Sequence, residues 1–225
     1  MDMEKIATLV LWMVPFIFSL SVHEFAHAWT AKKFGDNTAE SMGRVSLNPM
    51  AHIDPIGTLF FPIVGFLSNF PVIGWAKPVP VNGRNLKNPV KDGMWVAAAG
   101  PISNLILALI FTCILAVYFR TTNTSQFPSL TLSPGSGSTS PLISMLFFGV
   151  YLNVLLAFFN MLPMPPLDGG HVLRGLFPSL APQLDMIEKY GFLILIVLLY
   201  TGALRILLAP AMWIIGLLLN LAGIA

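Results

Sequence analysis

Charge is what this chain has least of. Lysine, arginine, aspartate and glutamate make up 10% of its 225 residues, where soluble domains carry about 25%. With 56% hydrophobic residues and a mean hydropathy of +0.78, an ordinary water-soluble globule is excluded, and an all-α membrane protein with little mass outside the bilayer is predicted. Cysteine is nearly absent. Cys113 stands alone, so there is no disulfide framework from which to infer a redox compartment; its place inside an apolar run predicts a buried small hydrophobe. No internal repeat is present, and repeats are what a repeat-built transporter would display. The net charge of +2 offers no basic footprint, so no nucleic-acid partner is predicted. The opening residues Met1-Asp2-Met3-Glu4-Lys5 lack a basic n-region, and no small-residue cleavage site follows, which predicts a retained helix and not a signal peptide.

What the chain does have is long apolar runs. Spans are predicted over residues 6–29, closed by Lys32 and Lys33, over 95–119 and over 142–162, with a closing helical hairpin from 184–200 and 206–221 turning at Arg205. That makes about five transmembrane helices in a single domain, 1–225, with a catalytic core over 6–172 and the hairpin within 183–223. Residues 121–140, rich in Ser, Thr, Gly and Pro, predict a surface loop. Residues 50–75 are apolar but broken by Pro55, Gly57, Pro62, Gly65 and Pro71. If this stretch is re-entrant, nine basic residues (Lys32, Lys33, Arg44, Lys77, Arg84, Lys87, Lys91, Arg174, Lys189) share one face and only Lys5, Arg120 and Arg205 the other. A full crossing divides them almost evenly. The positive-inside rule therefore predicts a re-entrant segment with the nine at the cytoplasmic face. Next comes an extended or β-like segment at that face, because the prolines of Ala76-Lys77-Pro78-Val79-Pro80-Val81-Asn82 bar a helix.

Inside the first apolar run lies His23-Glu24-Phe25-Ala26-His27. On a helix, histidines four apart share a face, so both imidazoles reach one metal ion with the glutamate beside it as a candidate general base. Ionisable groups are expensive within a membrane unless paired or metal-bound. A catalytic zinc site needs one more ligand; the candidates are His52, His171, Asp54 and Asp168. Asp168 stands out because prolines end the preceding span and Gly169-Gly170 lets the backbone turn. His27 and His23 precede Lys32 by five and nine residues, which places them roughly 8–13 Å inside the lysine-bearing face. With 50–75 re-entrant, Asp168 arrives at that same level.

Three motifs together, His23-Glu24-x-x-His27, Ala99-Gly100-Pro101-x-x-Asn104 and Asn160-x-x-Pro163-x-x-x-Leu167-Asp168-Gly169-Gly170, resemble the site-2 protease family of intramembrane zinc metalloproteases in its compact prokaryotic form. Gly74-Trp75-Ala76-Lys77-Pro78-Val79-Pro80-Val81 resembles a loop of the compact members. The resemblance involves neither a PDZ insertion nor an appended nucleotide-sensing domain. It implies one zinc ion per chain held by His23, His27 and Asp168, Glu24 as catalytic base, and a catalytic contribution from Asn160 to the substrate backbone or oxyanion. It further implies a transmembrane protein substrate, a multi-pass location in the cell (inner) membrane and an active site toward the cytoplasm. Ala76, Lys77, Pro78, Val79, Pro80 and Val81 then offer an edge to which unwound substrate can pair, the alternative being a proline-stiffened interfacial loop.

The remaining polar and aromatic residues have plainer readings. Ala97 to Gly100 with Ser103 predict a close-packing helix face, Asn104 a tie to a neighbouring span and Asn153 a packing contact. His52 and Asp54 belong to an interfacial bend, His171 to the surface or to a support behind the ligands, and Trp29, Trp75 and Trp95 to an aromatic belt. The alternative function is a membrane metal-ion transporter using the His/Asp site for transit, which leaves Glu24 without a purpose.

Overall fold

The computed structural model describes residues 3–68, 74–122 and 140–224; most of the predicted loop 121–140, and Pro71 of the broken segment, lie outside them. Among the described residues the chain forms helices and no strand. In chain order these are α1 (Met3–Lys33), α2 (Thr38–Ser41), α3 (Phe61–Ser68), α4 (Pro89–Thr122), α5 (Pro141–Asn160), α6 (Asp168–Leu176), α7 (Ala181–Glu188), α8 (Gly191–Tyr200), α9 (Ala203–Leu207) and α10 (Ala209–Leu221).

Three helices, α1, α4 and α5, are long and apolar enough to cross a membrane, and they pack side by side. α1 ends where Gly35 takes φ 107°. The Gly35 and Asp36 N–H groups return to the Lys32 and Ala31 carbonyls at 3.1 and 3.0 Å, closing a Schellman motif that only a residue free of a Cβ adopts cheaply. α4 begins at Pro89, a favoured first helical residue, with the Asp92 carboxylate reaching back 2.7 Å to the Asn88 N–H. Two of these helices, α1 and α4, each keep an apolar stripe outward. Val10, Val14 and Phe18 of α1 and Ile102, Ile106, Leu109 and Ile110 of α4 are exposed, as lipid-facing residues should be. Cys113 belongs to that outer face of α4. Its predicted burial is corrected: the apolar run around it is lipid-facing, and sequence hydropathy does not distinguish lipid from core.

The end of α1 and the start of α4 lie together. Ala31, Leu86 and Val96 form one buried cluster, and the Lys87 N–H donates to the Phe34 carbonyl at 3.3 Å. Residues 34–88 therefore leave and return at the same end of the bundle. Within them the chain doubles back on itself. The Trp75 N–H donates to the Gly57 carbonyl at 3.1 Å, the Thr58 hydroxyl donates to the Trp75 carbonyl at 2.8 Å, and the Phe61 and Trp75 rings lie 5.3 Å apart. Asp54 accepts from the Ile56 and Gly57 N–H groups at 3.0 and 2.6 Å, capping the π-helical turn Pro55–Phe60. That is its role here.

Residues 76–82 form no helix, as their prolines predict, Asn82 is extended (φ −101°, ψ 100°), and the segment pairs in no ladder among the described residues. The closing hairpin is less regular than predicted. Residues 184–200 break into α7 and α8 at Lys189 and Tyr190, and 206–221 divide between α9 and α10. At 1.5 Å per residue α8 and α10 reach about 15 and 20 Å, short of a ~30 Å hydrocarbon core. Ala211, Ile215 and Leu218 of α10 complete the main apolar core with Ala108 and Leu115 of α4 and Val150 and Val154 of α5, while Phe192, Leu193 and Tyr200 of α8 face outward.

Asp36, fully buried just past α1, ties this excursion to the bundle. It accepts from the Thr38 hydroxyl (2.5 Å) and N–H (3.1 Å), the Asn82 N–H (2.7 Å) and the Asn85 amide (2.9 Å). Burial raises its pKa, but the hydrogen bonds from Thr38, Asn85 and Asn82 outweigh it and hold the carboxyl below its ordinary value. A depressed folded pKa contributes stability above the unfolded value of about 3.9, and that contribution fades as pH falls through the folded value. Asp36→Ala is expected to cost about 2 kcal/mol near neutral pH, with the gap to wild type narrowing below about pH 4. Thermal unfolding in detergent at both pH values measures this; a gap that does not depend on pH would refute the carboxylate's role.

Candidate metal centre and catalytic base

α1 carries His23 and His27 one above the other on its buried face, with ring centroids 4.6 Å apart and Nε2 atoms 3.0 Å apart. The chain after α5 turns through Pro163–Pro166 and brings Asp168, the first residue of α6, beside them. Its Oδ2 is 3.2 Å from His23 Nε2 and 3.4 Å from His27 Nε2. This is the one group of His, Cys, Asp and Glu side chains among the described residues that converges closely enough to hold a metal ion.

The protonation pattern behind these atoms follows from their partners. His27 Nδ1 lies 2.7 Å from the Val96 carbonyl, which only accepts, so that nitrogen donates. His23 Nδ1 lies 2.6 Å from Asn104 Oδ1, another acceptor. With Nδ1 of each ring donating, a neutral ring presents a bare Nε2 lone pair, and the two Nε2 atoms face each other. Asp168 Oδ2 is buried between them with no hydrogen bond of acceptable angle. Three facing lone pairs repel unless a cation lies among them. Their separations match the edges of a tetrahedron built on zinc bonds of about 2.1 Å, whose edge is about 3.4 Å. The donor set therefore fits zinc.

α4 shapes this centre from the opposite wall, over about two turns. Val96 offers its carbonyl, Asn104 its side chain, and between them Gly100 offers space. A Cβ on Gly100 would lie 2.6 Å from His23 Cε1 and Nε2 and closer still to His27 Nε2. The residue read from sequence as close packing is a clearance for the imidazoles.

Glu24, half-buried, faces a cavity of about 710 Å³ that also takes in His23, His27, Asp168, Asn160, Val79 and His171. Its Oε2 accepts from the Val79 N–H at 3.1 Å. Asn160 lines the same cavity, although its amide donates to the Leu156 carbonyl one turn back at 3.0 Å. His171 is exposed at the cavity wall. His52 is buried and belongs neither to the ligand group nor to the cavity lining: its Nε2 sits 2.7 Å from the Ser46 carbonyl, and its own carbonyl accepts from the Lys77 N–H at 2.8 Å.

Two contributors were not foreseen. The buried Arg44 guanidinium donates to the Lys77 and Pro78 carbonyls and so fixes the extended segment where Val79 meets Glu24. Nothing in its sequence spacing points to this, since the contact is a long-range one to backbone. Asn104 was read as a tie between spans. It is one, but it also touches His23, and its four-residue offset from Gly100, matching that of the histidines, was the available signal. Of the segment 76–81, Lys77 and Val79 have their N–H groups engaged, Pro78 and Pro80 have none, and those of Ala76 and Val81 make no hydrogen bond within the described residues.

Comparison with known proteins agrees with this chemistry. YwhC, a candidate zinc metalloprotease of Bacillus subtilis, is 39% identical over 194 residues, covering 84% of this chain and 80% of that protein. Rip2 of Mycolicibacterium smegmatis, likewise a candidate zinc metalloprotease, is 28% identical over 205 residues, covering 90% of this chain and 71% of its own length. No solved structure matches the chain. The sequence profile of peptidase family M50 matches residues 11–201, a stretch that contains most of α1, all of α4 and α5 and all four residues gathered at the centre, and the chain belongs to that family of site-2-type metalloproteases.

Proposed function

We propose that this chain is a zinc-dependent intramembrane endopeptidase, hydrolysing peptide bonds in or near the transmembrane segments of other proteins to release a domain or clear a remnant. The observation that carries this reading is the convergence of His23, His27 and Asp168 on one point beside α1 and α4, two helices of membrane-spanning character, with Glu24 alongside. Zinc held by these three residues would polarise the scissile carbonyl and bring the pKa of a coordinated water to about 7. Glu24 takes the proton of the attacking water and returns it to the leaving amine. The Val79 N–H keeps one carboxylate oxygen of Glu24 occupied, which leaves the other to accept that proton. Asn160, on the same cavity wall, hydrogen-bonds the substrate backbone or the developing oxyanion after its amide leaves Leu156.

The membrane arrangement belongs to the same proposal. Residues 50–75 are re-entrant, the closing hairpin brings the spans to about five, and the cavity opens toward the cytoplasmic face of the cell membrane, where nine basic residues gather. Support comes from residues 34–88 starting and finishing at the same end of the bundle. A substrate helix must unwind before its carbonyl is reachable, and the segment 76–81 receives it chiefly through the unpaired carbonyls of Val79 and Pro80 and the N–H groups of Ala76 and Val81, since its other donors are engaged or missing.

Glu24→Gln is expected to keep zinc and lower cleavage of a co-expressed model membrane substrate by about 10²–10⁴-fold. Undiminished cleavage removes Glu24 from the mechanism, and metal flux without cleavage would point to transport. Gly100→Ala, which pushes a methyl group into both imidazoles, is expected to lower zinc content to near zero while the helices persist; circular dichroism with metal analysis checks both. A fully loaded Gly100→Ala protein would rule out the ligand geometry described.

A further inference from the structure

Ser19, Asn104 and Asn153 are fully buried, one on each of the three spanning helices, and none is a ligand. Their hydrogen bonds form a directed chain. The Asn153 amide donates to the Ser19 hydroxyl at 2.7 Å and to the Gly149 carbonyl at 2.8 Å. The Asn104 amide donates to Asn153 Oδ1 at 2.8 Å and approaches the Ser19 carbonyl at 3.4 Å. Asn104 Oδ1 then meets His23 Nδ1 at 2.6 Å.

Side-chain amides can be turned end for end, so what sets their sense decides the outcome. Here two backbone carbonyls set it. The Gly149 carbonyl only accepts, so the nitrogen of Asn153 must face it and the oxygen of Asn153 must face Asn104. Asn104 must answer with its nitrogen, which the Ser19 carbonyl also favours. Its oxygen is left for His23, and an oxygen obliges Nδ1 to carry the proton. Interhelical adhesion alone would be served by the Asn104–Asn153 contact; adhesion gives no reason for the chain to continue to a histidine at 2.6 Å.

We propose that Asn104 is a positioning residue for the reaction, with Asn153 and Ser19 as the anchors that aim it: together they hold His23 with its proton on Nδ1 and its Nε2 lone pair toward His27 and Asp168. The two histidines differ in this respect. His27 is oriented by the Val96 backbone carbonyl, which no side-chain substitution removes, whereas His23 is oriented by side chains and is the ligand that mutation can reverse. Asn153 acts on His23 without touching it, because losing its oxygen frees the Asn104 amide to rotate and present N–H groups to the ring. The proposal rests on the zinc reading above only for its consequence, since the tautomer is a property of the metal-free protein.

The test uses the full chain in nanodiscs with ¹⁵N-labelled histidine. In metal-free wild type the His23 signal, assigned by its loss in His23→Gln, is expected to report a proton on Nδ1. In Asn104→Ala and Asn153→Leu the proton is expected to shift toward Nε2, the site that free imidazole side chains favour. Zinc affinity, from chelator competition, is expected to fall about 10–100-fold in both, and the Co²⁺ absorption spectrum to change. Asn104→Asp, which retains an acceptor oxygen, is expected to recover most of the affinity that Asn104→Ala loses. Wild type with the His23 proton on Nε2, or Asn104→Ala binding zinc as tightly as wild type, overturns the proposal. The wild-type measurement decides even if a variant fails to fold. Wild type with the expected tautomer but no zinc binding overturns the proposed function and leaves this one standing.

Discussion

The contact between α1 and α4 at the level of the two histidines governs the rest of this structure. A helix repeats its facing positions every three to four residues, and both partners keep that step in register. His23 and His27 on one side face Asn104, Gly100 and Val96 on the other. An acceptor, a gap and an acceptor are what a pair of imidazoles needs when both Nε2 atoms must point the same way. Slide α4 by one residue and the gap becomes a Cβ among the ligands, while the acceptors miss both rings. The antiparallel packing of the two helices is therefore set by polar chemistry at one level and by apolar contacts above and below it.

That economy recurs through the bundle. Polar groups inside hydrocarbon are costly unless partnered, and those of the spanning helices are gathered on inward faces: Ser19, His23 and His27 on α1, Asn104 on α4, Asn153 on α5. Outward faces remain apolar. The cavity beside Glu24 adds room for water and substrate next to the metal ligands, so lipid-compatible walls surround a site that hydrolysis requires to be wet.

The excursion between α1 and α4 is best understood as scaffolding for a few backbone atoms. Asp36 holds Asn82, the His52 carbonyl holds Lys77, Arg44 holds the carbonyls of Lys77 and Pro78, and Thr58 holds Trp75. Between these anchors the Val79 N–H lands on Glu24. Buried charged and polar groups far from the ligand motif are thus spent on the position of one extended segment. It is neither paired as a strand nor free as a loop.

Much of this was legible in the amino-acid order, because it depends on local periodicity. Three long apolar runs, histidines one helical turn apart with an acid between them, and prolines that bar helix at 76–82 follow from residue type and spacing, which act on the chain over a few residues. What periodicity does not encode is which face meets which partner. It left Cys113 facing outward instead of buried, divided the closing hairpin into short helices, gave Gly100 the task of clearance, turned Asn104 toward His23 and sent Arg44 to a backbone more than thirty positions away. Those outcomes depend on distances between segments remote in sequence, and such distances exist only once the helices have packed.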